Sequence, residues 1–199
     1  SPATYQDVLP KEQTILDIIQ REYDEGRNIL LLATHTGGQH GVDRHWLRLV
    51  HDAIAPQCAI ILDAKKVKTH TRKAWIQTNV VNAGKRILIA NPVTIQTGLN
   101  NLVYFNTIVW LENPNCNPFV FRQTNGRIFR IGQTQETRVY FPYYADTAQE
   151  LAKSLLGHKV KIASGVDGMD LVASLAGIGA SDDDAYAGYE LGQLIYESV

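Results

Sequence analysis

Five runs of Ile, Leu and Val, separated by segments with helical periodicity, constrain the fold of this chain more than any other feature. Strands buried on both faces are continuously apolar, whereas strands with one face in water alternate apolar and polar residues. The sequence therefore predicts an α/β fold, a parallel sheet covered by helices on both faces. The predicted strands are NILLLA (28–33), QCAIILDA (57–64), RILIAN (86–91), NTIVWLE (106–112) and TRVYFPYY (137–144).

The helices between these strands are predicted from apolar residues at helical spacing and from the glycines that end several of them. No internal repeat and no Pro-, Gly- or Ser-rich linker divides this body, so residues 1–164 are predicted to form one domain. Residues 165–199 are rich in Ala, Gly and Asp and are predicted to form a short, acidic, helical tail. The predicted helices cover residues 10–26, 42–54, 71–84, 117–128 and 146–157.

The charges of the chain are unevenly distributed, although the net charge is only −1. Seven of the 20 acidic residues lie from Gly165 onward, where the sequence has no Lys or Arg. Residues 1–164 therefore contain all 19 basic residues against 13 acidic ones. A mildly basic body permits a polyanionic partner such as a nucleic acid.

Several function classes are disfavoured by what the sequence lacks. No apolar run approaches the roughly 20 residues of a membrane span, and the first residues do not have the pattern of a signal peptide, so we expect no membrane partner. Cys58 and Cys116 have no metal-ligand spacing and favour a reducing compartment, which indicates the cytoplasm. No metal site is predicted, because the first four histidines are spaced five, five and six residues apart and do not share a helical face.

The stretch QTNGRIFRIGQ (123–133) concentrates arginine and glutamine. On one helix, Gln123, Arg127 and Arg130 occupy positions i, i+4 and i+7, so their side chains are predicted to emerge from one face. The planar fork of arginine suits phosphate oxygens, and residues 119–138 contain one acidic side chain. The stretch therefore favours a phosphate site. The alternative is that acids from elsewhere in the fold pair with the two arginines.

Four polar loops follow predicted strands and should meet at one edge of the sheet, where ligands of open α/β folds gather. The segment KKVKTHTRK (65–73) carries five basic side chains and no acid. It favours contact with nucleic-acid phosphates, with a solvated surface as the alternative. The loop NPVTIQTGLNN (91–101) offers N–H groups and hydroxyls beside Gly98 for a phosphate or ribose, with an ordinary turn as the alternative. The four loops are 34–41, 64–70, 91–101 and 113–118.

A phosphate loop of the form G-x-x-x-x-G-K-[ST] is missing from the sequence. The segment NAGKR (82–86) has a glycine and a lysine, but lacks the first glycine and the Ser or Thr that would hold magnesium. We therefore expect that this chain alone does not hold or hydrolyse a nucleoside triphosphate.

From residue 10 to residue 160 the sequence resembles the second RecA-like lobe of superfamily-two helicases, in the Snf-type branch. Motif V of that branch ends in Gly-Leu-Asn, matched by residues 98–100. Motif VI is Gln-x-x-x-Arg-x-x-Arg-x-Gly-Gln, and its positions are matched by Gln123, Arg127, Arg130, Gly132 and Gln133.

The chain departs from the family pattern at three places. Motif V begins with Asn91-Pro92 in place of a Ser/Thr-rich segment, and Gln96-Thr97 replaces its double glycine. The Trp-Asn-Pro that commonly leads into motif VI is Cys-Asn-Pro at 116–118. The sequence is closer in style to helicase-like proteins of bacteria and phages than to eukaryotic remodellers.

The resemblance implies a shared ATP site. ATP and Mg would be held mainly by a first RecA-like lobe of the same protein, with neither bound tightly here. Arg127 and Arg130 would act as arginine fingers on the γ-phosphate, and Gln123 would position the phosphate or the attacking water. Further ATP contacts are implied for Gly98, Asn100 and Gln133.

The resemblance also implies a DNA partner, double-stranded as in the Snf-type branch, and a nucleoid-associated location. The DNA backbone would be contacted by Thr34, Thr36, Lys68, Arg72 and Thr97.

Two other functions stay open at this point. One is a non-catalytic, nucleic-acid-binding or regulatory module that keeps the shape of the lobe. The other is an unrelated α/β enzyme, such as a nucleotide-sugar transferase, with its site at the same edge of the sheet.

Overall fold

A computed structural model describes residues 8–38, 41–96, 99, 101–112, 117–167 and 192–195 of the chain. Their strands form one six-stranded sheet in the order β2-β3-β1-β4-β5-β6, and every neighbouring pair is parallel. All five predicted strands are confirmed. The strands are β1 Ile29–Leu32, β2 Ala59–Leu62, β3 Ile87–Ala90, β4 Thr107–Trp110, β5 Thr137–Tyr140 and β6 Gly192–Ile195.

Helices connect the strands and cover both faces of the sheet, so the predicted fold class is confirmed. The third helix continues as a π-helical turn at Gln77–Val81, and 3-10 turns lie at Thr69–Thr71 and Asn101–Tyr104. The helices are α1 Pro10–Asp24, α2 Val42–Ala53, α3 Arg72–Ile76, α4 Pro92–Ile95, α5 Pro118–Asn125 and α6 Ala148–Asp167.

Two apolar layers enclose the sheet, which explains why the strands are continuously apolar. In β1, Ile29 and Leu31 pack in the layer that contains α1 and α2, including Ile19 and Trp46. Leu30 and Leu32 pack in the opposite layer, which contains side chains of α3 to α6. Successive side chains of a strand point to opposite faces, so both faces of β1 must be apolar to be covered.

The C-terminal region differs from the sequence prediction in two places. Helix α6 does not end at Gly157 but continues to Asp167. One glycine costs a helix only about 1 kcal/mol, and no proline follows to stop it. Within the predicted helical tail, Gly192–Ile195 forms strand β6 and pairs with β5. Without β6, the outer edge of β5 would present unpaired N–H and C=O groups, and pairing them prevails over local helical preference. Residues 168–191 and 196–199 of the tail lie outside the described residues.

A buried carboxylate fixes the end of α1 to the sheet. Glu22 is fully buried and accepts hydrogen bonds from the hydroxyl groups of Tyr140 at 2.6 Å and Thr107 at 2.8 Å. Arg27 and Arg138 each form an ion pair with it at 2.9 Å. Burial raises the pKa of Glu22, but the hydrogen bonds and Arg138 outweigh burial, so this pKa lies below its usual value. The network therefore joins α1 to β4 and β5.

Candidate functional site

Glu112 organises the centre of the carboxyl edge, directly after β4. One of its oxygens accepts hydrogen bonds from the Thr34 amide at 2.7 Å, the Thr34 hydroxyl at 2.9 Å and the His35 amide at 2.9 Å. The other oxygen lies 2.7 Å from Nδ1 of His35. Burial raises the pKa of Glu112, but the bonds from His35 and Thr34 outweigh it, so the pKa is lowered overall. Sequence reasoning missed Glu112, although its place directly after a buried strand was a signal.

These bonds lie where the chain changes direction across the sheet. β1 is followed by α2 on one face and β4 by α5 on the other, and the crevice between two such strands is where open α/β sheets bind ligands. Here the side chain of Glu112 binds Thr34 and His35, the second and third residues after β1, and Asn91 donates to the Thr34 carbonyl at 2.8 Å. Thr34, a predicted nucleic-acid contact, is therefore held by protein groups.

Asn91 begins a loop that was predicted to lie at this edge, but its own role was not predicted. Its side-chain oxygen accepts from the Val93 amide at 2.9 Å and caps α4, while its amide nitrogen bonds to Thr34. An Asn followed by Pro at the start of a helix is a recognisable capping signal. The departure from the family's motif V at Asn91-Pro92 thus has a local structural role.

Of the other predicted nucleic-acid contacts, some are exposed and one is hydrogen-bonded within the protein. Lys68 and Thr36 are exposed at the carboxyl edge. Arg72 instead donates hydrogen bonds from Nη1 to the Thr94 carbonyl at 2.9 Å and from Nε to the Val67 carbonyl at 3.3 Å. Arg72 therefore positions the loop after β2 against the end of α4.

The prediction that Gln123, Arg127 and Arg130 share one helical face is wrong. Helix α5 ends at Asn125, and the N–H of Arg127 bonds to the Thr124 carbonyl in a tighter turn. Gly126 lies at this end, and glycine lowers helix stability by about 1 kcal/mol relative to alanine.

The structure brings Arg127 and Arg130 together by a different route. Arg127 donates a hydrogen bond to the Gln96 carbonyl. Burial lowers the pKa of Arg127, and the nearby positive charge of Arg130 lowers it further. Among the described residues, no carboxylate forms an ion pair with Arg127. Like charges repel each other, so an anion bound near Arg127 would offset the effect of Arg130.

Gln96 adds a further polar group beside Arg127. Its side-chain Nε2 is buried and has no hydrogen-bond partner among the described residues, and the same holds for Oγ1 of Thr124 and Nδ2 of Asn125. A buried polar atom without a partner is costly. The segment around Arg127 therefore retains unused hydrogen-bonding capacity.

The side chain of Gln133, another predicted residue of motif VI, bonds to the main chain before β4, although its amide donates to the Arg130 carbonyl at 3.0 Å. Gln133 donates from Nε2 to the carbonyls of Val103 at 3.1 Å and Phe105 at 2.9 Å. It is turned there by Gly132, whose φ of 102° favours glycine. Gln123 lies half-buried in α5. Gln133 is thus bound to the main chain before β4, while the three loop residues predicted in motif V, Thr97, Gly98 and Asn100, lie outside the described residues.

The described part of the chain contains no group of three or more His, Cys, Asp or Glu side chains that could hold a metal ion. None of its helices combines the length and apolar character needed to cross a bilayer.

Comparison with known proteins finds likenesses among solved structures. No family model and no curated protein matches the sequence. The fold is similar to the crystal structure of the C-terminal part of Fun30 ATPase domain, with a TM-score of 0.60 and 20% identity. The match covers 75% of this chain and 44% of that chain, so this chain spans less than half of the solved structure. The likeness shows that the chain has a RecA-like α/β fold.

Proposed function

We propose that this chain is the second motor lobe of an ATP-dependent DNA helicase or translocase of the Snf type. The observation that carries the proposal is that Arg127 and Arg130 both follow α5 in a RecA-like fold, near enough for the charge of Arg130 to lower the pKa of Arg127. The sequence match to motifs V and VI supports the same function, and so does the fold likeness to part of an ATPase domain.

In this function, Arg127 and Arg130 bind the γ-phosphate of ATP held, with Mg, by a first lobe of a longer protein. One donor of Arg127 is used on the Gln96 carbonyl, which orients the guanidinium group and leaves its remaining donors available. Guanidinium groups placed before reaction stabilise the charge that develops during phosphoryl transfer. Gln123 would position the phosphate or the attacking water, and Gly98, Asn100 and Gln133 would support the same site.

Nucleic-acid contact belongs to the exposed part of the carboxyl edge. Thr36 and Lys68 are exposed there and can reach backbone phosphates, with Thr97 as a further proposed contact. Thr34 and Arg72 contribute differently from the sequence prediction, because they hold the loops that present these residues. Double-stranded DNA is the proposed partner, and the bacterial or phage origin, with a nucleoid-associated location, remains part of the proposal.

The test is ATP hydrolysis by the longer protein that contains these residues and a first lobe with a phosphate loop. Arg130→Ala and Arg127→Ala are each expected to lower kcat by roughly 10³-fold or more, the range for a lost arginine finger, while ATP binding persists. Lys85→Ala, which removes a charge at the opposite edge of the sheet, is the control and should leave kcat unchanged. Unchanged kcat in both arginine variants would refute the motor function.

One observation favours a second function, a regulatory or nucleic-acid-binding module without catalysis. The amide of Gln133 is satisfied by Val103 and Phe105, and Arg127 is bound to Gln96, so both side chains also stabilise the lobe itself. In that case the arginine variants would lose folding stability and keep wild-type ATP hydrolysis.

A further inference from the structure

A cleft of about 800 Å³ opens at the carboxyl edge, between the loop after β1 and the loop after β2. It lies beside β2, the outermost strand of the sheet, and neither Arg127 nor Arg130 lines it. The cleft is therefore separate from the arginine pair. Its volume falls within the range of roughly 300–1,000 Å³ typical of small-molecule sites.

Cations from two elements line the cleft. Arg44 and Arg48 are one turn apart on α2, and Lys65 and Lys66 come from the loop after β2. Side chains one turn apart on a helix lie on the same face, so the two arginines point to the cleft together. Among the described residues, none forms a hydrogen bond or an ion pair with the charged group of any of these four side chains.

The two carboxylates of the cleft, Asp43 and Asp63, are directed to the main chain. Asp43 accepts from the Gly37 amide at 3.3 Å, and Asp63 accepts from the Lys65 amide at 2.9 Å. Four cations and two carboxylates leave a positive surplus. The carboxylates shape the loops, and the cations remain available to an anion.

An apolar wall accompanies the cations. Leu47, Ile61 and Trp75 line the cleft and are each half-buried, so part of each side chain faces the opening. A flat indole beside aliphatic groups offers a surface on which a planar base can stack. Gly37 and Gly38 on the opposite rim have no Cβ, and the Lys65 ammonium lies close to Gly37. The cleft therefore offers cationic groups for a phosphate and an apolar wall for a base.

We propose that this cleft binds a nucleoside phosphate, either a free nucleotide or one unit of a single-stranded nucleic acid. Arg44, Arg48, Lys65 and Lys66 bind the phosphate, and the base packs against the wall that contains Trp75. The proposal rests on the proposed nucleic-acid contacts at this edge, where Thr36 also lines the cleft, and adds to them a phosphate and base site that is separate from the arginine pair.

Trp75 supplies a built-in probe for the experiment. The chain has three tryptophans, and Trp46 and Trp110 are only 4% and 1% exposed, so a bound base can stack only on Trp75. Tryptophan emission of the purified chain is titrated with AMP, adenosine, inorganic phosphate and a short oligodeoxyadenylate. AMP is expected to quench emission saturably, adenosine to bind at least about tenfold more weakly, and phosphate to compete with AMP. Trp75→Phe should remove the quenching.

Charge variants test which surface binds. Lys66→Glu is expected to weaken AMP binding by about tenfold or more, and Arg48→Glu should do the same from the other wall. Lys85→Glu makes the same charge change just before β3, at the opposite edge of the sheet, and should leave AMP affinity unchanged. Tighter, salt-sensitive binding of the oligonucleotide would identify nucleic acid as the source, and equal affinities would identify a free nucleotide.

The proposal would be overturned by no quenching by AMP or oligonucleotide, by equal affinities for adenosine and AMP, or by equal effects of Lys66→Glu and Lys85→Glu. Quenching of emission by an acidic peptide with no effect of AMP would also overturn it. Each of these leaves the proposed role of Arg127 and Arg130 untouched, because that role is measured as ATP hydrolysis in the longer protein.

Discussion

The guanidinium group of Arg127 donates a hydrogen bond to the main-chain oxygen of Gln96, which joins the turn after α5 to the end of α4. Two residues earlier, the Thr94 carbonyl accepts a hydrogen bond from Arg72. Two arginines from different elements thus bind one short segment. The arginine that is proposed to meet phosphate and the arginine that fixes the basic loop are coupled through the same stretch of main chain.

Arg72→Ala is expected to destabilise the fold by about 2 kcal/mol, because two carbonyl groups lose hydrogen bonds to a charged donor. Arg72→Lys should recover only part of this, since an ammonium cannot reproduce the two-pronged geometry of a guanidinium. Urea unfolding followed by circular dichroism measures both. The neighbouring, exposed Lys73 gives the control, and Lys73→Ala should stay within about 0.5 kcal/mol of wild type. Wild-type stability for Arg72→Ala would show that Arg72 serves a ligand instead of the fold.

Strand positions were predictable from sequence because burial on both faces demands a continuous apolar run, and Ile29–Leu32 shows such a run. The contacts between loops were not predictable, because they join residues that are far apart in sequence. Glu112 and Thr34, 78 residues apart, illustrate this. Residues after both strands were expected at one edge, but their mutual hydrogen bonds follow only from the order of the strands.

The arginine pair shows a second limit of sequence reasoning. Spacings of three and four residues predicted a helix through Arg127 and Arg130, whereas α5 ends at Asn125. Helical periodicity predicts a shared face only where the helix continues. At the last residue of α5, the Asn125 side chain accepts a hydrogen bond from Trp110 at 3.1 Å, a contact between residues that spacing alone does not reveal. The charge of Arg130 nevertheless acts on Arg127. The predicted helix through the two arginines is therefore wrong, while the prediction that they bind phosphate stays a prediction.

Glu112→Ala is expected to release the loop after β1. The amides of Thr34 and His35 both donate to this carboxylate, and losing a hydrogen bond to a charged acceptor should speed their exchange with solvent by about tenfold or more. Hydrogen–deuterium exchange resolved by residue measures this. Asp52→Ala, which removes an exposed carboxylate from α2, should leave both amides unchanged. Slow exchange of the two amides in Glu112→Ala would contradict the role assigned to Glu112.

Gly41→Ala and Gly38→Ala separate lack of space from backbone strain in the same loop. A Cβ on Gly41 would lie 2.3 Å from the Asp43 carboxylate and 2.6 Å from the Gly37 carbonyl, so the loop would have to move. A Cβ on Gly38 would meet nothing within 4 Å, but φ is +78° there. We expect a loss of about 2–3 kcal/mol for Gly41→Ala and about 1 kcal/mol for Gly38→Ala. Thermal unfolding compares them, and equal losses would contradict the packing argument.

Glu22→Gln is expected to destabilise the fold by about 3 kcal/mol at neutral pH, because Arg27 and Arg138 lose their shared buried anion. The pKa of the Glu22 carboxyl group is lowered in the folded state. The stability that this group contributes is therefore complete above its unfolded pKa of about 4.3 and is lost as the pH falls further. The difference in unfolding free energy between wild type and Glu22→Gln should therefore shrink in urea titrations from pH 5 down to pH 3. Glu25→Gln removes a half-exposed carboxylate from the same arginine and should cost under about 1 kcal/mol. A difference that stays constant down to pH 3 would show that the ionised form of Glu22 is not what stabilises the fold.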